Sequence, residues 1–174
     1  MQLFNSRLLR ERMQRFSFPA GGEFKKKINV IAKWQKSLRD SDLSKTKEIS
    51  IQGLFLSKFF GEVLGYTTQA DGKKEWNLTQ HPGNDIDARI PDGSLGFYSS
   101  DKSATKAVIE LKDAMTSLDR RQSARRENFT PIEQSYLYAT KYDGCNWIIV
   151  SNIREIRLYN KSKGLTEFEI CTSF

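Results

Sequence analysis

Histidine is almost missing from this chain: His81 is the only one, and the two cysteines, Cys145 and Cys171, stand 26 residues apart with no Cys-x-x-Cys spacing. These scarcities exclude a His-x-x-x-His zinc site, a histidine-rich metal-finger nuclease and a zinc knuckle, and they fit reduced thiols. Long apolar runs are missing too. None approaches the roughly 18 residues that span a bilayer, and the opening MQLFNSRLLRERMQRF lacks the continuous apolar stretch of a signal peptide. The sequence therefore reads as that of a soluble, cytoplasmic protein with no membrane partner. There is no internal repeat and no low-complexity tract. What is present is a chain of 174 residues, 38% hydrophobic, with 11 Phe, 6 Tyr and 3 Trp. That is enough apolar area for one core, and it excludes wholesale disorder.

Charge is unevenly spread. Residues 1–47 hold 12 Lys or Arg against 4 acids, a net of +8, while the remaining residues hold 16 basic against 17 acidic side chains. A basic segment joined to a near-neutral body suits a polyanion such as DNA, whose phosphates attract Lys and Arg without sequence preference. The alternative is a solvated, partly helical lead-in. Two regions follow: a basic helical extension over 1–43, and a globular unit over 44–174.

Pro19 with Gly21 and Gly22 breaks the extension into two helical pieces. The second, from about residue 23 to 39, has Phe24, Ile28, Ile31 and Trp34 at helical spacing, beside Lys25, Lys26 and Lys27. The spacing predicts that the apolar face packs while the lysines meet phosphates. A longer, largely buried helix is expected from about Thr46 to Leu64, with Gly65 as its stop. Residues 65–84 read as a loop or short hairpin. Strands are expected over 85–90, 95–98, 107–112, 147–150 and 156–159. Between the third and fourth, Thr130, Pro131 and Glu133 open a helix that Asp143-Gly144 ends. Strand, helix, strand implies a parallel crossover, so the expected class is α/β: a mixed sheet flanked by helices.

Acidic-x-Lys tripeptides occur three times, as Glu23-Phe24-Lys25, Asp71-Gly72-Lys73 and Glu110-Leu111-Lys112. Only the last ends an apolar strand. There Ala107, Ile109 and Leu111 share one face, and Val108, Glu110 and Lys112 share the other. Upstream stands Pro91-Asp92. For a hairpin turning near residues 101 to 102, index sums of about 202 to 204 set Asp92 opposite residues 110 to 112. Two carboxylates that close repel unless a cation sits between them, and oxygen ligation suits Mg²⁺. Asp87 is the rival acid; its pairing with Glu110 would need a bulge. An exposed strand-end ion pair is the bland alternative for Glu110 and Lys112. After the strand, Arg120, Arg121, Arg125 and Arg126 form a cluster suited to phosphate contacts, or to a solvated linker.

P-D followed by E-x-K on a hairpin, with Gln134-x-x-x-Tyr138 on a later helix, resembles the PD-(D/E)-x-K nuclease superfamily. More narrowly, PDGSLGF, AVIELKDA, LDRRQ, TPIEQSYLYATKY and WIIVSNIREIRLY together resemble the N-terminal endonuclease domain of single-chain type IIG restriction-modification enzymes, over about residues 44–160. The resemblance implies a restriction-endonuclease-like mixed sheet and Mg²⁺-dependent hydrolysis of double-stranded DNA, with Mn²⁺ as a substitute ion. By position, Asp92, Glu110 and the Leu111 backbone carbonyl would hold the metal, and Lys112 would orient the attacking water. Glu48 matches a position that often adds a further carboxylate, and Gln134 and Tyr138 match an accessory motif near the site. Helix-dipole, capping and core roles are their structural alternatives. The chain has no Asn-Pro-Pro-aromatic tetrapeptide and no glycine-rich cofactor loop. A methyltransferase and target-recognition region would therefore belong to the same longer protein or to a partner chain, and a transient dimer is compatible with this reading. A catalytically silent DNA-binding or structural module of the same fold is the alternative function.

Overall fold

The computed structural model describes residues 3–18, 20–40, 48–83, 90–122 and 128–173. Two helices open the chain, α1 (Ser6–Gln14) and α2 (Gly22–Arg39). Asn5 caps the first by accepting from the amides of Arg7 and Leu8, and Gly21 (φ 71°) makes the left-handed turn into the second. Helix α3 (Glu48–Phe55) continues as a π-helical segment over Leu56–Val63. Among the described residues the sheet has six strands in chain order: β1 (Glu75–Gln80), β2 (Gly93–Ser99), β3 (Ser103–Leu111), β4 (Trp147–Ser151), β5 (Glu155–Asn160) and β6 (Phe168–Ser173). Neighbours run antiparallel except β3 and β4, which are parallel and joined through α4 (Pro131–Ala139). This is the helix-flanked mixed α/β sheet, with an N-terminal helical extension, that the element order predicts.

The two faces of the sheet bury different cores. Leu78, Leu95, Ala107, Ile109 and Leu111 pack with Trp34, Leu38, Ile51, Phe55, Phe59 and Phe60 from α2, α3 and the π segment. On the other face Val108, Ile148, Val150 and Tyr159 pack with Ile132, Tyr138 and Ala139 of α4. Strand β4 contributes to both, which explains its lack of polar alternation.

Several elements depart from the sequence reading. Residues 65–84, read as a loop or short hairpin, contain the strand 75–80, which pairs with β2; it is hard to read because its only buried side chain is Leu78 and its pairing is bulged between Trp76 and Leu78. Strand β6 has no counterpart in the sequence reading for a similar reason, being an edge strand with Ile170 exposed. The turn after β2 is tighter than expected, since Ser103 already pairs with Tyr98. Helix α4 ends at Ala139, with turns through Gly144 (φ 69°). On α2 the docked face is Val30, Ile31, Trp34 and Leu38, while Ile28 is exposed. The expected strand over 85–90 lies, but for Ile90, outside the described residues. Among the described residues no helix is long and apolar enough to cross a membrane.

Candidate functional site

The register of the β2/β3 hairpin decides which acids meet. Gly93 pairs with Ile109 and Ser94 with Val108. The register shifts by one residue between Leu95 and Gly96, and one step beyond the Gly93–Ile109 pair Asp92 stands level with Glu110. Asp92 does not join the ladder. Its carboxylate Oδ2 instead accepts from the Leu111 backbone N–H at 2.7 Å, and its own carbonyl accepts from the His81 N–H at 3.0 Å. The strand end is further fixed by the Lys112 N–H, which donates to the Ser151 carbonyl at 2.8 Å.

Glu110 and Lys112 project from the face of β3 that turns towards α4. The Lys112 Nζ lies 2.5 Å from the Glu110 Oε1, and both side chains are only 3% exposed. The bland alternative of an exposed ion pair at a strand end is therefore replaced by a buried one. Taking both charges out of water costs several kcal/mol per ion, so each depends on its partner and on further hydrogen bonds. The other two acidic-x-Lys tripeptides have plain structural uses. Asp71 caps a short turn by accepting from the Thr68 N–H, which holds its carboxyl below the usual range. Glu23 lies 3.7 Å from Lys27, one helical turn on.

On α4, Thr130 and Glu133 form the expected capping box, each side chain accepting from the other's backbone N–H. Gln134 and Tyr138 are both buried and joined, the Gln134 Nε2 donating to the Tyr138 hydroxyl. The Lys141 ammonium stands 5.4 Å over the Tyr138 ring. Arg120 is exposed. Arg121 is exposed as well but turns to α4, 3.6 Å from Glu133 and donating to the Asn128 carbonyl. Lys25 and Lys26 face solvent. Lys27 does not: its Nζ donates to the Val63 carbonyl at 2.9 Å, serving the end of the π segment. Asp87, Arg125 and Arg126 lie outside the described residues, as does the Glu48 side chain, although Glu48 itself opens α3.

The structure adds residues that the sequence pattern left unread. Gln52, on α3, donates from Nε2 to the Leu111 carbonyl at 3.2 Å. Asn152 and Arg154 hold the segment after β3 by donating to the carbonyls of Thr116 and Ala114. Arg157 grips Asp119 through both guanidinium Nη atoms, at 2.6 and 2.9 Å, which depresses the Asp119 carboxyl and raises the guanidinium further. Single polar residues of this kind carry no periodic signal; their partners are set only by the fold.

The oxygens that the end of β3 could offer a cation are the carboxylates of Asp92 and Glu110 and the Leu111 backbone carbonyl, the last of which accepts from Gln52. That set suits Mg²⁺ or Mn²⁺ and not a thiolate- or imidazole-seeking metal. Among the described residues no three His, Cys, Asp or Glu side chains group together. No family model, curated protein or solved structure matches this chain.

Proposed function

We propose that this chain is a Mg²⁺-dependent endonuclease domain of the PD-(D/E)-x-K kind that hydrolyses phosphodiester bonds of double-stranded DNA in the cytoplasm, as part of a restriction-modification enzyme. The observation that carries this reading is the hydrogen bond from the Leu111 N–H to the Asp92 carboxylate, which ties the P-D acid to the centre of the E-x-K tripeptide. Asp92, Glu110 and the Leu111 carbonyl would hold the ion. When bound, a divalent ion supplies Lewis-acid polarisation of the phosphate and lowers the pKa of a coordinated water. Lys112, on the same strand end, would orient the attacking water and offset charge on the phosphate oxygens. Gln134 and Tyr138 line the neighbouring helix face. Arg120, with Lys25 and Lys26, supplies phosphate contacts that position the duplex without reading it.

The test is supercoiled plasmid incubated with the full chain and Mg²⁺ or Mn²⁺, followed on a gel against an Asp92→Asn variant. Nicked or linear product from the wild type alone supports the reading; an inert wild type refutes it. The buried Glu110–Lys112 pair favours one rival, a silent DNA-binding or structural module in which the two charges merely satisfy each other. Calorimetric titration separates the two, because the silent module takes up no Mg²⁺ at millimolar concentration.

A further inference from the structure

A glutamine on the inner face of α3 asks for a reason. Around it Ile51, Phe55 and Leu56 are buried apolar side chains, and Gln52 itself is only 8% exposed. A methionine of similar volume would pack there without the cost of desolvating an amide. Gln52 instead reaches 59 residues along the chain to donate to the Leu111 carbonyl. With this bond, every backbone polar atom between the Leu111 N–H and the Lys112 N–H has a partner. Asp92 takes the first amide, Gln52 the carbonyl, and Ser151 the second amide. Two of those partners sit on strands beside β3 or at their ends, whereas Gln52 comes from a helix, one turn after Glu48.

A carbonyl oxygen has two lone pairs, so one can accept from Gln52 while the other is aimed elsewhere. Rotation of the Leu111–Lys112 peptide plane would swing that second lone pair. The Lys112 N–H anchors one edge of the plane and Gln52 anchors the other.

We propose that Gln52 is a positioning residue that fixes the Leu111 carbonyl as a ligand and thereby sets the affinity of the site for a divalent cation; this rests on the nuclease reading above. Its role is that of the outer partners of metal ligands, whose loss typically costs about 10- to 100-fold in metal affinity or activity. Gln52→Met keeps the volume and removes the donor. In the full chain we expect Mg²⁺ binding by calorimetry about 10- to 100-fold weaker. DNA cleavage should slow at low Mg²⁺ and recover when Mg²⁺ is raised, while KM for DNA stays unchanged. Recovery with metal is the signature that a purely structural amide would not give. The ¹³C carbonyl resonance of Leu111 reports the hydrogen bond directly and should move in the variant whether or not the protein is active. Unchanged Mg²⁺ affinity in Gln52→Met, beside an active wild type, overturns the proposal and leaves the nuclease reading standing. A wild type that neither binds Mg²⁺ nor cleaves DNA overturns both, even if the Leu111 resonance shifts. Should Gln52→Met fail to fold, Gln52→Asn withdraws the amide by one methylene and is read the same way.

Discussion

The carboxylate of Asp92 and the backbone N–H of Leu111, 19 residues apart in the chain, are joined by a hydrogen bond of 2.7 Å. The acid thus has two separable properties, its acceptor oxygen and its charge. Asp92→Asn retains an acceptor and loses the charge, so we expect cleavage and Mg²⁺ binding to vanish with little change in melting temperature. Asp92→Ala also strands the amide and should lose a further ~1–3 kcal/mol in urea unfolding. Equal stability of the two variants would contradict the separation.

The buried pair makes the opposite kind of prediction. From the sequence, Lys112→Ala is expected to abolish cleavage without large loss of stability, because a strand-end lysine at a metal site mainly serves chemistry. With both side chains buried, removing the ammonium takes a close counter-charge from a buried carboxylate, and the expected loss is about 3–5 kcal/mol. The double variant Glu110→Gln with Lys112→Met should recover much of that loss while remaining inactive. Urea unfolding of Glu110→Gln, Lys112→Met and the double variant closes the cycle; additivity of the single effects would show that the pair is not coupled.

The three consecutive lysines of α2 should behave differently from one another. Changing Lys25 and Lys26 to alanine ought to lower the slope of log affinity for duplex DNA against log salt by about 1.8, from roughly 0.9 for each phosphate no longer neutralised, and to spare stability. Lys27→Ala should leave the slope alone and lower stability by ~1 kcal/mol, because the Val63 carbonyl forfeits its donor. Filter binding across a salt series, with thermal melts, distinguishes them.

Acid should probe the Asp119–Arg157 grip. The hydrogen bonds from Arg157 hold the Asp119 carboxyl below its unfolded value of about 3.9. A depressed folded pKa contributes stability above the unfolded value, and that contribution is lost as pH falls through the folded one. Asp119 is largely exposed, so solvent screening keeps the effect small. Arg157→Met should flatten the fall in stability below pH 4 relative to wild type; parallel curves would remove Asp119 from the account.

The sequence made the fold class and the β2/β3 pairing readable because buried central strands carry their own pattern. Val108, Ile109, Ile148 and Val150 are apolar on both faces, and the hairpin itself is legible, although the tighter turn and the register shift between Leu95 and Gly96 that together set Asp92 level with Glu110 are not. Edge strands are harder to read, since β1 and β6 meet water along much of their length and alternate weakly. The docked face of α2 departs from the spacing by less than a turn: Ile28 recurs at the right interval, but the helix rolls so that Val30, Trp34 and Leu38 meet the core. Burial of Glu110 and Lys112, and the reach of Gln52, are illegible in the sequence because they depend on what the α3 and α4 layers cover, which no local spacing records.

The parallel pairing of β3 with β4 has a consequence in time. Leu111 lies beside Ser151, and the Lys112 N–H is held by the carbonyl of Ser151, 39 residues further along the chain. During synthesis Asp92 is made before the tripeptide it contacts, so the hairpin half of the site can form first. The other half waits until α4 has emerged and β4 follows it. The Glu110-Leu111-Lys112 end therefore reaches its final geometry only when most of the sheet is already made, so that a growing chain carries these acids before it carries a finished site.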